Sequence, residues 1–297
     1  MKGHKKTGGK GRHYKRSKKT GLPPGSPVPI GDLNGGGFIC RQIMYSANDV
    51  REHDFSGGDE KLSALAAGTE PGTNVWLQIA GVHYAEAVEK MGNAVGLHPL
   101  MIEDIVNMEQ RVKLEDYPDT LFLVMKLLQW DTIQKQVVLR QAAIVIKNGV
   151  LITFLDWSNR DYLKPIVDRI RNQQGNIRDK NLGYLLYVIL DYIVDNYFFT
   201  VESLEGEIDT IEEVAAEAPD RDTIGSINSL RRELLVVKKL VWAVREVLLR
   251  LERGNYPFIN REDYIFYRDI QDHILYIIDT MDTFREIITG LVDVYLS

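Results

Sequence analysis

The chain has 297 residues, of which 44% are hydrophobic and 26% charged, the make-up of a globular protein with material for one large core or two modest ones. Its single cysteine, Cys40, excludes an intramolecular disulfide and fits a reducing cytosol. No consecutive run of about 18 apolar residues marks a membrane span and the polar start is no secretory signal, so the chain as it stands reads as a soluble cytosolic polypeptide.

Charge is unevenly placed. Residues 1–20 hold nine of the 36 Lys and Arg and no acid, which leaves 27 bases against 42 acids, a net charge of −15, on the remainder. This basic stretch has no apolar periodicity and is expected to be disordered. It could touch nucleic acid or anionic lipid, but no aromatic series interleaves the charges, so a solvated tail is the preferred reading and no nucleic-acid partner is expected. The acidic body favours cations as partners.

A Pro/Gly linker, Gly21-Leu22-Pro23-Pro24-Gly25, separates the tail from the fold. Strands are predicted at Phe38–Tyr45 and Val75–Ile79, then a helix over Ala85–Val95. His98-Pro99 opens a short helix to Asn107, with proline suited to a first turn. Three β-type runs follow, Thr120–Trp130, Gln136–Lys147 and Val150–Asp156, the last two joined by the hairpin pair Asn148-Gly149. A helix is predicted over Tyr162–Gln173. After Arg178 the chain turns helical: Leu182–Glu217, then Thr223–Arg253 beyond the Pro219-Asp220 break, then one helix from Pro257 to Ser297. The fold class is α+β, a mixed α/β sheet domain (residues 21–178) followed by a region of three long helices (residues 179–297).

The last helix carries a heptad seam: Tyr267, Ile270, Ile274, Ile277, Met281, Phe284, Ile288, Leu291 and Tyr295. From Pro257 it would be roughly 60 Å long, more than a small domain's width, so part of the seam is expected to find a partner outside its own globule. A second ladder, Asp272, Asp279, Glu286 and Asp293, is either a solvated acidic face or a wall lining a channel or subunit boundary. The helix lacks a C-terminal cap, so the functional molecule is expected to continue past Ser297.

Motifs of common enzymes are missing: no Walker-type loop, dinucleotide fingerprint, paired-His zinc helix or Gly-x-Ser-x-Gly elbow. No general base stands beside a nucleophile, so no catalytic residue is named and the chain is not read as an enzyme. Gly35-Gly36-Gly37 reads as a turn, Cys40 as packing, and His98 as structural. Carboxylates remain. Glu103 and Asp104 are adjacent on the short helix, about 100° apart, so at most one faces a given site. Asp191 and Asp195 share a helical face, and Asp272 and His273 follow Asp269 by three and four residues. Oxygen-rich sites without thiols suit Mg²⁺ or Ca²⁺, against a salt-bridge or solvated role for the same acids.

At these residues the sequence resembles the soluble cytoplasmic part of a CorA-type magnesium/cobalt transporter. The matching stretches, in order, are Gly21–Gly25, His98–Ile105, Gln110–Tyr117, Tyr184 to Asp195, Tyr267–His273, and Thr283 to Ser297. The resemblance implies a homopentamer whose terminal helix is a stalk that lines a funnel and becomes the first membrane helix. A second membrane helix and a Gly-Met-Asn selectivity motif would lie beyond this chain, and the full protein would sit in the cell inner membrane with this part on the cytoplasmic side. It further implies regulatory Mg²⁺, with Co²⁺ or other divalent cations possible, bound between neighbouring protomers and holding the channel closed. Asp104 would face Asp269 of the adjacent chain. A second site would draw on Glu103, Asp191 and Asp269, with the Leu22 carbonyl contributing; Asp195 and Asp272 would act through water or by electrostatics. Rival readings are the cytoplasmic domain of a related zinc transporter and a metal-independent coiled-coil scaffold.

Overall fold

The structure, a computed structural model, describes residues 21–30, 36–55, 72–217 and 221–296, so the expectations for the basic tail (residues 1–20) lie outside the described residues. Seven strands form one sheet: β1 (Ile39–Tyr45), β2 (Val50–Asp54), β3 (Asn74–Ala80), β4 (Lys113–Tyr117), β5 (Thr120–Asp131), β6 (Gln136–Lys147) and β7 (Val150–Leu155). Their order is β2-β1-β3-β7-β6-β5-β4, with β3 and β7 parallel and every other pair antiparallel. The helices are α1 (Ala85–Ala94), α2 (Pro99–Val106), α3 (Lys164–Arg171), α4 (Leu182–Glu217), α5 (Arg221–Arg253) and α6 (Tyr264–Leu296).

The sheet is buried on both faces, which is why β5, β6 and β7 read as nearly continuous apolar runs rather than alternating ones. Along β5, Leu121, Leu123, Met125 and Leu127 join the core shared with α3, α4, α5 and α6. Phe122 and Val124 point the other way, into a core with α1 and α2. Cys40 lies in that second core, fully buried, and burial raises its thiol to about 12, consistent with packing. The Asn148-Gly149 turn takes positive φ at both residues (49° and 77°), as a type I′ hairpin requires.

Two strands escape the sequence pattern. β2 has the burial order of an edge strand with polar residues outward, and β4 is a five-residue edge of mostly charged side chains. Gly21–Gly25 is more than a spacer, because the Gly25 N–H donates to Glu103 Oε2 at 2.7 Å and a Cβ at Gly25 would meet Pro99 at 2.8 Å.

The last helix also departs from expectation. Residues 257–260 form a turn, a 3₁₀ turn follows at Arg261–Asp263, and α6 proper spans 33 residues, about 50 Å. Its seam finds its partners within the chain: Tyr267, Ile270, Ile274, Ile277, Met281, Phe284 and Ile288 are all buried in the core with α4 and α5. As far as Ile288 the seam is covered by α4 and α5, which with 36 and 33 residues are as long as α6 and run beside it, while Leu291 is only half-buried. The Asp272, Asp279, Glu286 and Asp293 ladder is exposed on the protomer, and Ile265, Leu275 and Tyr276 are exposed apolar residues of the same helix. By length and composition α4 is apolar enough to cross a membrane, but 56% of its most apolar window is buried in the molecule.

Candidate metal centre

Two long helices bring three donors together. Asp191 and Asp195 are one turn apart on α4, and His273 reaches them from α6, so that one ligand atom from each lies within 4.8 Å of the others. Their approach follows from the tight contact at the base of the two helices. Gly183 at the start of α4 donates its N–H to the Phe258 carbonyl, and Tyr267 Oη donates to the Gly183 carbonyl at 2.7 Å. A Cβ at Gly183 would lie 2.4 Å from the Phe258 oxygen, so only glycine permits this approach.

His273 Nδ1 stands 3.6 Å from Asp195 Oδ1; it is buried and makes no hydrogen bond. Asp191 is half-buried, and its carboxyl is raised to about 6, chiefly by burial and next by the charge of Asp195; Asp269 adds to the rise, while His273 and Arg169 oppose it. The cluster sets two carboxylates against one imidazole. A buried imidazole nitrogen that makes no hydrogen bond, beside two carboxylates, is a set of donors that could hold a divalent ion. Asp269 contributes its field from an exposed position on α6, and Asp272 is exposed and outside the group.

A second set of acids lies across the sheet. The short helix α2 is capped by His98, whose Nδ1 accepts from the Leu100 N–H at 3.2 Å, a structural role for this histidine. Glu103 and Asp104 both line a cavity of about 560 Å³, together with Glu115, Asp116, Tyr117 and Arg250. The two carboxylates turn to different partners, Glu103 to the Gly25 N–H and Asp104 to Lys113 and Gln110, in keeping with their separation around the helix. Asp104 Oδ2 accepts from Lys113 Nζ at 2.5 Å and its Oδ1 accepts from Gln110 Nε2. Lys126, buried between α2 and the sheet, donates to the Met108 carbonyl at 2.8 Å and to Gln141, whose amide donates to the Asp104 and Ile105 carbonyls. The C-terminal end of α2 is thereby fixed to the sheet.

Within one chain, then, Asp191, Asp195 and His273 converge, while Glu103 and Asp104 sit on the opposite face of the sheet from Asp191 and Asp269. Leu22, half-exposed, lies in the segment docked against α2. Sequence reasoning noted the position of His273 but did not place it in the site. The usable signal was its spacing of four from Asp269, which puts both on one face of α6. Lys113 and Glu115 were missed because β4 was not predicted.

The mixed sheet followed by three long helices is the fold of the CorA soluble domain. A family model described as CorA-like Mg2+ transporter protein matches residues 71–297, and the chain belongs to that family. It is 36% identical over 281 residues to the cobalt/magnesium transport protein CorA of Thermotoga maritima, covering 95% of this chain and 78% of that one. It is 25% identical over 217 residues to the protein of the same name from Methanocaldococcus jannaschii, spanning 66% of that relative's length. Among solved structures, the soluble domain of CorA from M. jannaschii superposes with a TM-score of 0.68 at 21% identity, covering 86% of this chain and 96% of that one. The ZntB cytoplasmic domain from Vibrio parahaemolyticus superposes with a TM-score of 0.67 at 13% identity, covering 87% of this chain and 96% of that one, a likeness of fold alone.

Proposed function

We propose that this chain is the cytoplasmic, Mg²⁺-sensing and gating part of a homopentameric Mg²⁺/Co²⁺ channel-transporter of the cell inner membrane. Residues 21–178 would be its α/β unit and 179–297 its long-helix unit, with α6 as the stalk that couples to the membrane part. The observation that carries the reading is the convergence of Asp191 and Asp195 with the buried, unpartnered His273 Nδ1 beside the stalk. When bound, the divalent ion supplies positive charge that neighbouring carboxylates lack. Asp191, Asp195 and His273 would hold it, with Asp269 assisting by its field. Asp104 would meet Asp269 of the adjacent protomer at a shared ion, with Glu103 and the Leu22 carbonyl nearby and Asp272 acting electrostatically. Carboxylates gathered at a boundary repel when the cation leaves, so cytoplasmic Mg²⁺ would shift the population towards the closed arrangement.

The test is thermal unfolding with light-scattering mass across millimolar Mg²⁺ and with chelator. Mg²⁺ should raise the melting temperature and favour a pentameric mass. Asp269→Ala and Asp104→Ala should weaken that response with the protomer fold intact; an unchanged response in both removes them from the site. Metal-indifferent assembly would favour the scaffold reading instead.

The nitrogen donor of His273 favours a second reading of the ion, since imidazole suits Co²⁺ or Zn²⁺ better than Mg²⁺. His273→Ala should then lose more of the Co²⁺ response than of the Mg²⁺ response, and equal losses would count against it.

A further inference from the structure

Asp104 of α2 already holds a cation, and it belongs to the chain. Lys113 Nζ lies 2.5 Å from Asp104 Oδ2 and 2.6 Å from Glu115 Oε1, and its ammonium stands 5.4 Å from the centre of the Phe122 ring. The pair is sheltered: the Lys113 and Asp104 side chains keep 10% and 17% of their exposure, whereas Glu115 keeps 38%. Asp104 has no idle oxygen, because Gln110 serves Oδ1. Its backbone is equally fixed, through Gln141.

A divalent ion on either Asp104 oxygen would stand within roughly 5 Å of this ammonium, a repulsion that incomplete exposure to water does little to screen. The two cannot share the carboxylate as it stands. Glu115 offers the ammonium another seat, already in contact with it and nearer solvent, and its Oε2 is steadied by the Tyr117 hydroxyl at 3.2 Å.

We infer that Lys113 is a tethered counter-cation for Asp104: it neutralises the carboxylate when no metal is present, and a divalent ion binding there displaces it onto Glu115. This rests on the reading above in which Asp104 takes a divalent ion. The exchange keeps Asp104 paired in both states, so the repulsion that follows loss of the metal comes from Asp191, Asp195 and Asp269. It also sets selectivity by charge. A monovalent ion gains nothing over the ammonium it would replace, while a divalent ion does. The competition raises the concentration of metal needed, which places the response in the range a sensor requires.

The experiment follows melting of the 297-residue chain against MgCl₂ at constant ionic strength, for the unaltered protein, Lys113→Gln and Lys113→Arg. Lys113→Gln should move the Mg²⁺ midpoint to roughly tenfold lower concentration, the size of one charge-assisted hydrogen bond. Lys113→Arg, which keeps the charge, should leave it near the original value. A midpoint in Lys113→Gln that is unchanged or higher overturns the inference. A second measurement uses the unaltered protein alone: acylation of Lys113 by an amine-directed reagent, mapped by mass spectrometry, should rise with saturating Mg²⁺. Equal or lower labelling overturns the displacement. If the unaltered chain shows no Mg²⁺ response, or Asp104→Ala keeps it whole, the underlying reading fails first, and that outcome is seen without the Lys113 variants.

Discussion

At the scale of single residues, the molecule keeps several ionisable groups in places that cost free energy. Lys126 is the plainest: burial lowers its ammonium to about 8, with Glu109 opposing. A lysine whose folded value is depressed penalises the native state at every pH below that value, and the penalty fades as pH rises from about 8 towards the unfolded value. Lys126→Met should remove that pH dependence, so the stability of the original chain relative to the variant should increase by about 2 kcal/mol between pH 7.5 and 9.5 in denaturant titrations. A difference independent of pH would mean that the amine stays charged. The reason to retain such a group is its position, since it carries the end of the helix on which Asp104 sits. None of this was legible in the sequence: Lys126 falls within a run of apolar β residues, and nothing there says which carbonyls it meets.

At the scale of elements, what could be read was periodicity and what could not was pairing. Leu182–Glu217 was predicted with the bounds it has, because a long 3.6-residue pattern ended by Pro219 leaves little choice. β2 and β4 were lost because short polar edges carry no apolar alternation. The carboxylates of the candidate site were legible as spacing on α4 and on α6, but their meeting depends on how close the helices come, and that is decided at Gly183. Gly183→Ala should therefore cost about 1–3 kcal/mol, since the methyl would meet backbone at Phe258 and Ile259 that cannot turn aside. It should also weaken the Mg²⁺ response by parting Asp191 from His273. Full stability in that variant would show that the helices separate freely there. The start of α6 was misplaced because Pro257 reads as a first helical residue, whereas Asn260 and the 3₁₀ turn actually begin the helix.

At the scale of the whole molecule, the seam of α6 as far as Ile288 is buried inside the protomer, so the assembly proposed above would use the other face of that helix. Ile265, Leu275 and Tyr276 are exposed there beside Asp272 and Asp279. Leu275→Glu should leave the protomer's melting temperature within about 0.5 kcal/mol of stability while lowering the mass seen by light scattering. An unaltered mass would move the contact elsewhere. The sheet, finally, keeps α2 and α6 on opposite sides of each chain. If the acids of one side complete those of the other on a neighbour, every subunit has one half-site looking forward and one looking back. Contacts of that head-to-tail kind either close into a ring or run on without end. A dimer would strand two half-sites, whereas a closed ring strands none. Counting bound ions per chain would therefore report closure: a whole number for the ring, and a deficit for every open arc.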